Sequence, residues 1–267
     1  MRRAGLIITV LAVLAVPATA QAKTTITISG STSVAPLATQ LAKSFLKTRA
    51  GKGKAKFRIL QGGSDIGIAD VSRGRVSIGM SSRDPQPSDP GGLVFNRIAR
   101  DGVCIATNPD NRIGNLSQEQ VQAIFSGRVR SWSDVPGAKA SGAIDLIVRN
   151  PASGTQDAFQ NIFMGLDLRV SPSASQRPSN GRVQQAISSN PSAIGYVDFN
   201  FTQGLAVLPY RGVACTLRNA KSGQYGGVRN FWLVTRGKAK GAAAKWIKFA
   251  RSSKARKIIA KNWVPLR

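Results

Sequence analysis

Short strand-like runs in this chain repeatedly end in loops of hydroxyls and glycines, and each loop opens onto a segment of helical character. Thr25-Ile26-Thr27-Ile28 alternates as a half-buried strand, Gly30-Ser31-Thr32-Ser33 follows, and Leu37, Leu41 and Phe45 then share one helical face. Pro36 fits there because it falls in the first helical turn. Phe57 to Leu60 is a second strand, turned by Gln61-Gly62-Gly63-Ser64-Asp65 into the segment 66–71. Val76 to Met80 is a third, ending in Ser81-Ser82-Arg83-Asp84. Ile144 to Val148 is another; Asn150-Pro151 breaks it after Arg149, and Ser153-Gly154-Thr155 opens a segment with Phe159, Ile162 and Phe163 at helical spacing. Strands alternating with helices predict an α/β protein. Such sheets bind ligands at the strand ends where these loops collect.

The same alternation continues elsewhere. Residues 83–92 read as a polar, Pro/Gly-rich connection, and Gly102 to Ala106 as a buried strand. Ser117 and Gln120 form a capping box for a helix through Phe125 that stops at Gly127. Gly181 to Ser188 suits a short helix, Ile194 to Val197 and Phe231 to Val234 suit strands, and Ala242 to Asn262 holds one or two basic helices. No internal repeat is visible.

Composition then removes most chemistries. The chain contains no histidine, so neither a Ser-His-Asp nor a Cys-His apparatus can be built, and no histidine metal site is expected. No P-loop or dinucleotide fingerprint is present, and no cofactor is expected. Ser44-Phe45-Leu46-Lys47 has the Ser-x-x-Lys spacing of penicillin-binding enzymes but lies within an amphipathic pattern without the companion motifs. The chain is therefore expected to be no enzyme.

Residues 1–22 read as a signal peptide, with Arg2-Arg3, an apolar run from Leu6 to Val16, and Ala20-Gln21-Ala22 as the cleavage site. The mature protein is expected to be exported, periplasmic or at the cell surface. Formal net charge is +26, two of it from Arg2 and Arg3, which favours anionic surroundings without choosing among them. In an oxidising compartment the two cysteines, Cys104 and Cys215, are candidates for a disulfide, with two buried thiols as the alternative.

The stretch Arg149 to Thr155 carries the sharpest chemistry. A helix start leaves backbone N–H groups unpartnered and partly positive. Two hydroxyls, a glycine and a guanidinium join them, a set suited to a small tetrahedral oxyanion.

Gly-Ser-Thr-Ser-Val-Ala-Pro-Leu at 30–37, Gly-Gly-Ser at 62–64, Ile-Gly-Met-Ser-Ser-Arg at 78–83 and Arg-x-x-x-Ser-Gly-Thr at 149–155 resemble, in content and order, the phosphate-binding proteins of ABC transporters. Ile-Phe-Ser-Gly and Ser-Trp-Ser-Asp-Val at 124–135, and the Trp-Val-Pro-Leu ending at 263–266, are similar to the same family. The resemblance implies a two-lobed periplasmic-binding-protein fold, type II-like, with the ligand cleft between the lobes. It implies lobe one at 23–105 plus 226–267 and lobe two at 106–225. It assigns phosphate contacts to Thr32, Ser33, Ser64, Ser82, Arg83, Arg149, Ser153, Gly154 and Thr155. The implied function is capture of inorganic phosphate by a monomer and its delivery to a membrane permease, with no specific nucleic acid as partner. Sulfate or molybdate binding is the nearest alternative, and a basic protein adhering to the envelope or to nucleic acid is another.

One position departs from the pattern. Many members carry Ser-Asp where this chain has Ser-Ser, and that aspartate accepts the proton of hydrogenphosphate. With Ser82 in its place, Asp84 is the first candidate acceptor and Asp65 the second.

Overall fold

The computed structural model describes residues 23–266; the expected signal peptide lies outside the described residues. Strand β1 (Thr24–Gly30) leads into helix α1 (Val34–Phe45), β2 (Ala55–Gln61) into α2 (Ser64–Ser72), and β3 (Ile78–Ser81) into the loop that starts at Ser82. A long strand, β4 (Leu93–Thr107), precedes α3 (Gln118–Phe125), and β5 (Asp145–Arg149) leads into α4 (Gly154–Phe159). Then come β6 (Ser175–Arg177), α5 (Asn180–Ser188), β7 (Ala193–Asp198), β8 (Ala206–Val207) and α6 (Leu217–Ser222). The chain closes with β9 (Val228–Arg236), α7 (Gly241–Ala250) and α8 (Ser253–Asn262).

The strands pair in the order β2-β1-β3-β9-β4-β7-β5-β6, with β8 added beside β4. Parallel pairing joins β1 to β2 and β3 at one end, and β5 to β6 and β7 at the other. Between them β9 and β4 run antiparallel to their neighbours. β4 changes partners along its length: Leu93 to Gly102 pair with β9, and Val103 to Thr107 with β7.

The two largest apolar cores lie on either side of that change. One gathers Ile26, Ile28, Leu37, Phe45, Met80, Ala99, Phe231, Leu233, Trp246 and Trp263. The other gathers Val103, Ile105, Phe125, Trp132, Phe159, Phe163, Tyr196 and Tyr210. The helical face expected at Leu37, Leu41 and Phe45 is buried, where truncating one large side chain costs about 2–5 kcal/mol. Cys104 on β4 and Cys215 before α6 form a disulfide beside the second core.

Most expected elements are present with ends shifted by a few residues. β4 is the main difference: the sequence predicts a strand only from Gly102, whereas the strand begins at Leu93. Its first half carries Asn96, Arg97, Arg100 and Asp101 among the apolar residues, and a register shift between Arg97 and Ala99 breaks its alternation. Phe163 lies beyond the end of α4, in a wider helical turn, Gln160–Met164. The capping box of α3 is formed as expected, with Ser117 accepting from Gln120 N and Gln120 accepting from Ser117 N. Among the described residues no helix is long and apolar enough to cross a membrane.

Candidate functional site

The parallel strands deliver their C-terminal loops to one place. After β1, Ser31 turns its hydroxyl back onto the start of α1, where Oγ accepts from Ser33 N at 3.2 Å and Val34 N at 3.3 Å. That leaves the Thr32 and Ser33 hydroxyls for contacts outside the turn. Ser64 opens α2, and its Oγ accepts from Ser82 N at 2.9 Å. Ser82 Oγ in turn accepts from Ser31 Oγ at 2.9 Å. Three loops on β1, β2 and β3 are thereby stitched together by hydroxyls that are each almost wholly buried.

From the other half of the sheet comes the loop after β5. Ser153 caps α4, its Oγ accepting from Thr155 N at 3.1 Å and Gln156 N at 3.4 Å. The Ser153 oxygen is thus committed to the helix start. Thr155 reaches across instead, its Oγ1 3.1 Å from Ser33 Oγ. Gly154 lies against Ser64 and the Ser82–Arg83 peptide; a Cβ there would stand 2.8 Å from Arg83 N. Gly63, at φ 120°, meets the same loop, and a Cβ there would lie 2.6 Å from the Ala152 carbonyl oxygen. Further bonds close the seam: Asp65 N donates to Ala152 O at 3.2 Å, and Gln86 Nε2 to Asp157 Oδ1 at 2.8 Å.

Arg149 sits at the centre, 2% exposed. Its Nε donates to Arg177 O at 3.1 Å, Nη2 to Pro178 O at 2.9 Å and Nη1 to Thr32 Oγ1 at 3.3 Å. Among the described residues it forms no ion pair. Burial draws its pKa down to about 10. A buried cation braced only by carbonyls and a hydroxyl is electrostatically incomplete, and an anion supplies what is missing.

Arg83 behaves differently from expectation. Its Nε donates to Asp65 Oδ1 at 2.7 Å, while Nη1 and Nη2 hold both oxygens of Asp89 at 3.0 and 2.6 Å. Burial opposes the charge, but the bonds to Asp89 and Asp65 outweigh it and raise the pKa. The guanidinium is saturated by carboxylates rather than offered with the hydroxyls. Neither candidate acceptor stands among those hydroxyls. Asp84 is exposed and accepts from Asn230 Nδ2 and Trp232 Nε1, both at 2.9 Å, while Asp65 is occupied by Arg83.

Four residues that sequence reasoning passed over complete the cluster. Asn180, first residue of α5, donates from Nδ2 to Ser33 Oγ at 2.8 Å and to Thr32 Oγ1 at 3.2 Å. Arg229 on β9 donates from Nη2 to Ser33 Oγ at 2.8 Å and from Nη1 to Ser82 Oγ at 3.4 Å. Its Nη2 also faces Asp101 Oδ2 at 3.4 Å and Asp198 Oδ2 at 3.6 Å. Both aspartates are fully buried, and burial raises both carboxyl pKa values against the pull of Arg229; at Asp101 the neighbouring Asp198 raises it further. A signal existed in the sequence. Asp101 and Asp198 directly flank the apolar runs 102–106 and 194–197, and Arg229 lies two residues before the run 231–234.

Chemically the cluster is a set of N–H and O–H donors with two buried guanidiniums. It contains no positioned general base next to an activated nucleophile. No group of three or more Cys, Asp or Glu side chains that could hold a metal occurs among the described residues.

Comparison with known proteins agrees in family and fold. The chain is 28% identical over 253 residues to the phosphate-binding protein PstS of Bacillus subtilis, covering 92% of this chain and 82% of the relative. It is 26% identical over 247 residues to PstS of Borreliella burgdorferi, covering 88% and 87%. A Clostridium perfringens structure with bound phosphate, described as a phosphate ABC transporter substrate-binding protein, superposes with a TM-score of 0.84. It is 28% identical and is matched over 91% of this chain and 100% of that one. An ABC-type phosphate transport receptor from Vibrio cholerae gives a TM-score of 0.72 at 26% identity, over 90% and 100% of the two chains. A family model described as a PBP superfamily domain matches residues 15–254, and the chain belongs to that superfamily.

Proposed function

We propose that this protein is an exported, non-catalytic receptor that closes on inorganic phosphate and delivers it to an ABC-transporter permease. The observation that carries the reading is Arg149: a guanidinium buried to 2% exposure, with no carboxylate partner among the described residues, at the meeting point of four donor-rich loops. A dianion placed there meets Arg149 and Arg229 and the hydroxyls of Thr32, Ser33, Ser64, Ser82 and Thr155. Such fixed donors exchange for the anion's water shell without rearrangement. Gly154 lets the loop after β5 close against Ser64 and the Ser82–Arg83 peptide, and Ser153 shapes the loop rather than donating. Arg83 acts at one remove, holding the Ser82 loop through Asp65 and Asp89.

The two relatives and two structures above are described as phosphate binders or phosphate transport receptors, and the donor set here has the matching chemistry. We take lobe one as 23–105 plus 226–267 and lobe two as 106–225, with the cleft between them. Residues 1–22 act as the export signal, and the mature protein works as a periplasmic or surface-held monomer.

Calorimetric titration of the purified mature protein with phosphate tests the reading. Saturable binding of one phosphate per chain is expected, with little loss between low and moderate salt. Absence of phosphate binding overturns it. Binding only to polyanions, falling steeply with salt, points instead to a basic adhesive surface.

A further inference from the structure

The cluster contains an apparent contradiction: a site offered to an anion holds two fully buried aspartates. A carboxylate there repels every anion unless the anion brings a proton to share. The two aspartates differ in what their oxygens do. Asp198 is occupied on both, Oδ1 accepting from Asn200 N at 3.1 Å and Oδ2 from Asn180 Nδ2 at 3.1 Å, with Arg229 beyond at 3.6 Å. Its bonds orient Asn180 and Arg229. Asp101 faces Arg229 through Oδ2, at 3.4 Å, and its buried Oδ1 makes no hydrogen bond among the described residues. Buried polar atoms are nearly always paired, so an orphaned carboxylate oxygen in a binding site marks where a donor belongs.

We propose that Asp101 is the proton acceptor of the site, restricting it to oxyanions that carry an acidic O–H, hydrogenphosphate and hydrogenarsenate, against sulfate and selenate. The inference rests on the reading of the cluster as an oxyanion receptor. Arg229 makes the link physical. Its guanidinium, stacked 5.5 Å from the Phe231 ring centroid, reaches Ser33 on one side and Ser82 on another while facing Asp101. Asp101 therefore stands one residue removed from the donor loops, on the strand shared by both halves of the sheet. A protonated phosphate oxygen donates to Oδ1. Sulfate at neutral pH has no proton, and its oxygen would face Oδ1 across a dry gap with nothing between two negative charges. Burial strengthens the discrimination, because no solvent screens the mismatch.

The test is competitive titration of wild type, Asp101→Asn and Asp198→Asn with phosphate, arsenate, sulfate and selenate, folding being checked by circular dichroism. Wild type is expected to prefer phosphate to sulfate by roughly a thousandfold, with arsenate following phosphate and selenate following sulfate. In Asp101→Asn the phosphate-to-sulfate ratio is expected to fall by about a hundredfold or more, through weaker phosphate and stronger sulfate binding. Asp198→Asn is expected to weaken all four anions together. Adding Ser82→Asp to Asp101→Asn returns a carboxylate beside Arg229 and is expected to recover part of the ratio. A folded Asp101→Asn protein with the wild-type ratio overturns the proposal. If that variant does not fold, tight selenate binding by wild type overturns it, while rejection of selenate with retention of arsenate supports it. Binding of none of the four anions by wild type overturns the receptor reading itself, a separate outcome.

Discussion

Gly154→Ala is the smallest change that tests whether the two loop sets close on each other. Gly154 begins α4 with a backbone outside the left-handed region, so alanine fits the local conformation and slightly favours the helix. The difficulty lies across the seam. The new methyl carbon would stand 2.8 Å from both Arg83 N and the Ser82 carbonyl carbon, and closer still to Ser64 Oγ. Two of those atoms belong to the backbone, which cannot swing aside. Overpacking of this kind costs about 1–3 kcal/mol. Prising the seam apart also lengthens the Ser33–Thr155 contact, now 3.1 Å, for about a further 1 kcal/mol. A total of about 2–4 kcal/mol corresponds to a loss of roughly thirtyfold to a thousandfold in phosphate affinity. Calorimetry reads the affinity, and an unchanged far-UV spectrum with a cooperative melt separates a closure defect from misfolding. A folded Gly154→Ala protein with wild-type affinity would refute the closed geometry.

Arg149→Ala is expected to abolish measurable phosphate binding while the circular dichroism spectrum is retained; wild-type titration would show that the anion sits elsewhere. The unreduced, unfolded mature protein is expected to show no free thiol, and reducing the Cys104–Cys215 bridge, which spans 111 residues, is expected to lower unfolding free energy by about 2–5 kcal/mol in denaturant titrations. Asp101 and Asp198 titrate above the ordinary carboxylate range. Between the unfolded and native pKa values the native state therefore holds more protons than the unfolded chain, so these groups make stability fall as pH rises through that window. Ligand-free melts across pH are expected to show a shallower fall in Asp101→Asn; an identical slope would mean that Asp101 is not buried as described.

The α/β alternation was legible because β1, β2, β3 and β5 each end in a hydroxyl-rich loop, and local periodicity suffices to mark such units. That Thr32, Ser33, Ser64, Ser82, Arg149, Gly154 and Thr155 gather in one cluster was legible for the same reason, since each lies at the end of one of those strands or in the loop after it, whereas Ser153 caps α4. Arg83 shows the limit. Its adjacency to Ser82 suggested a ligand contact, whereas Asp65 and Asp89 lie within reach and claim its donors. Nothing in local spacing says which way a long side chain turns. Asp101 and Arg229 lie 128 residues apart, and their pairing exists only because β4 and β9 are neighbours in the sheet. Asn180 was hidden in another way: it follows a capping serine in α5 and resembles any helix-start residue until Thr32 and Ser33 are brought against it. The first half of β4 was hidden because Asn96, Arg97, Arg100 and Asp101 interrupt its apolar residues and a register shift between Arg97 and Ala99 breaks the alternation.

Equilibrium dialysis with radiolabelled phosphate, on protein unfolded and refolded to strip bound anions, tests the central claim most directly. The account predicts saturation at one phosphate per chain, in the micromolar range or tighter, displaced by unlabelled phosphate and absent in Arg149→Ala. No retained phosphate at millimolar concentration, or non-saturating uptake equal in wild type and Arg149→Ala, would contradict it.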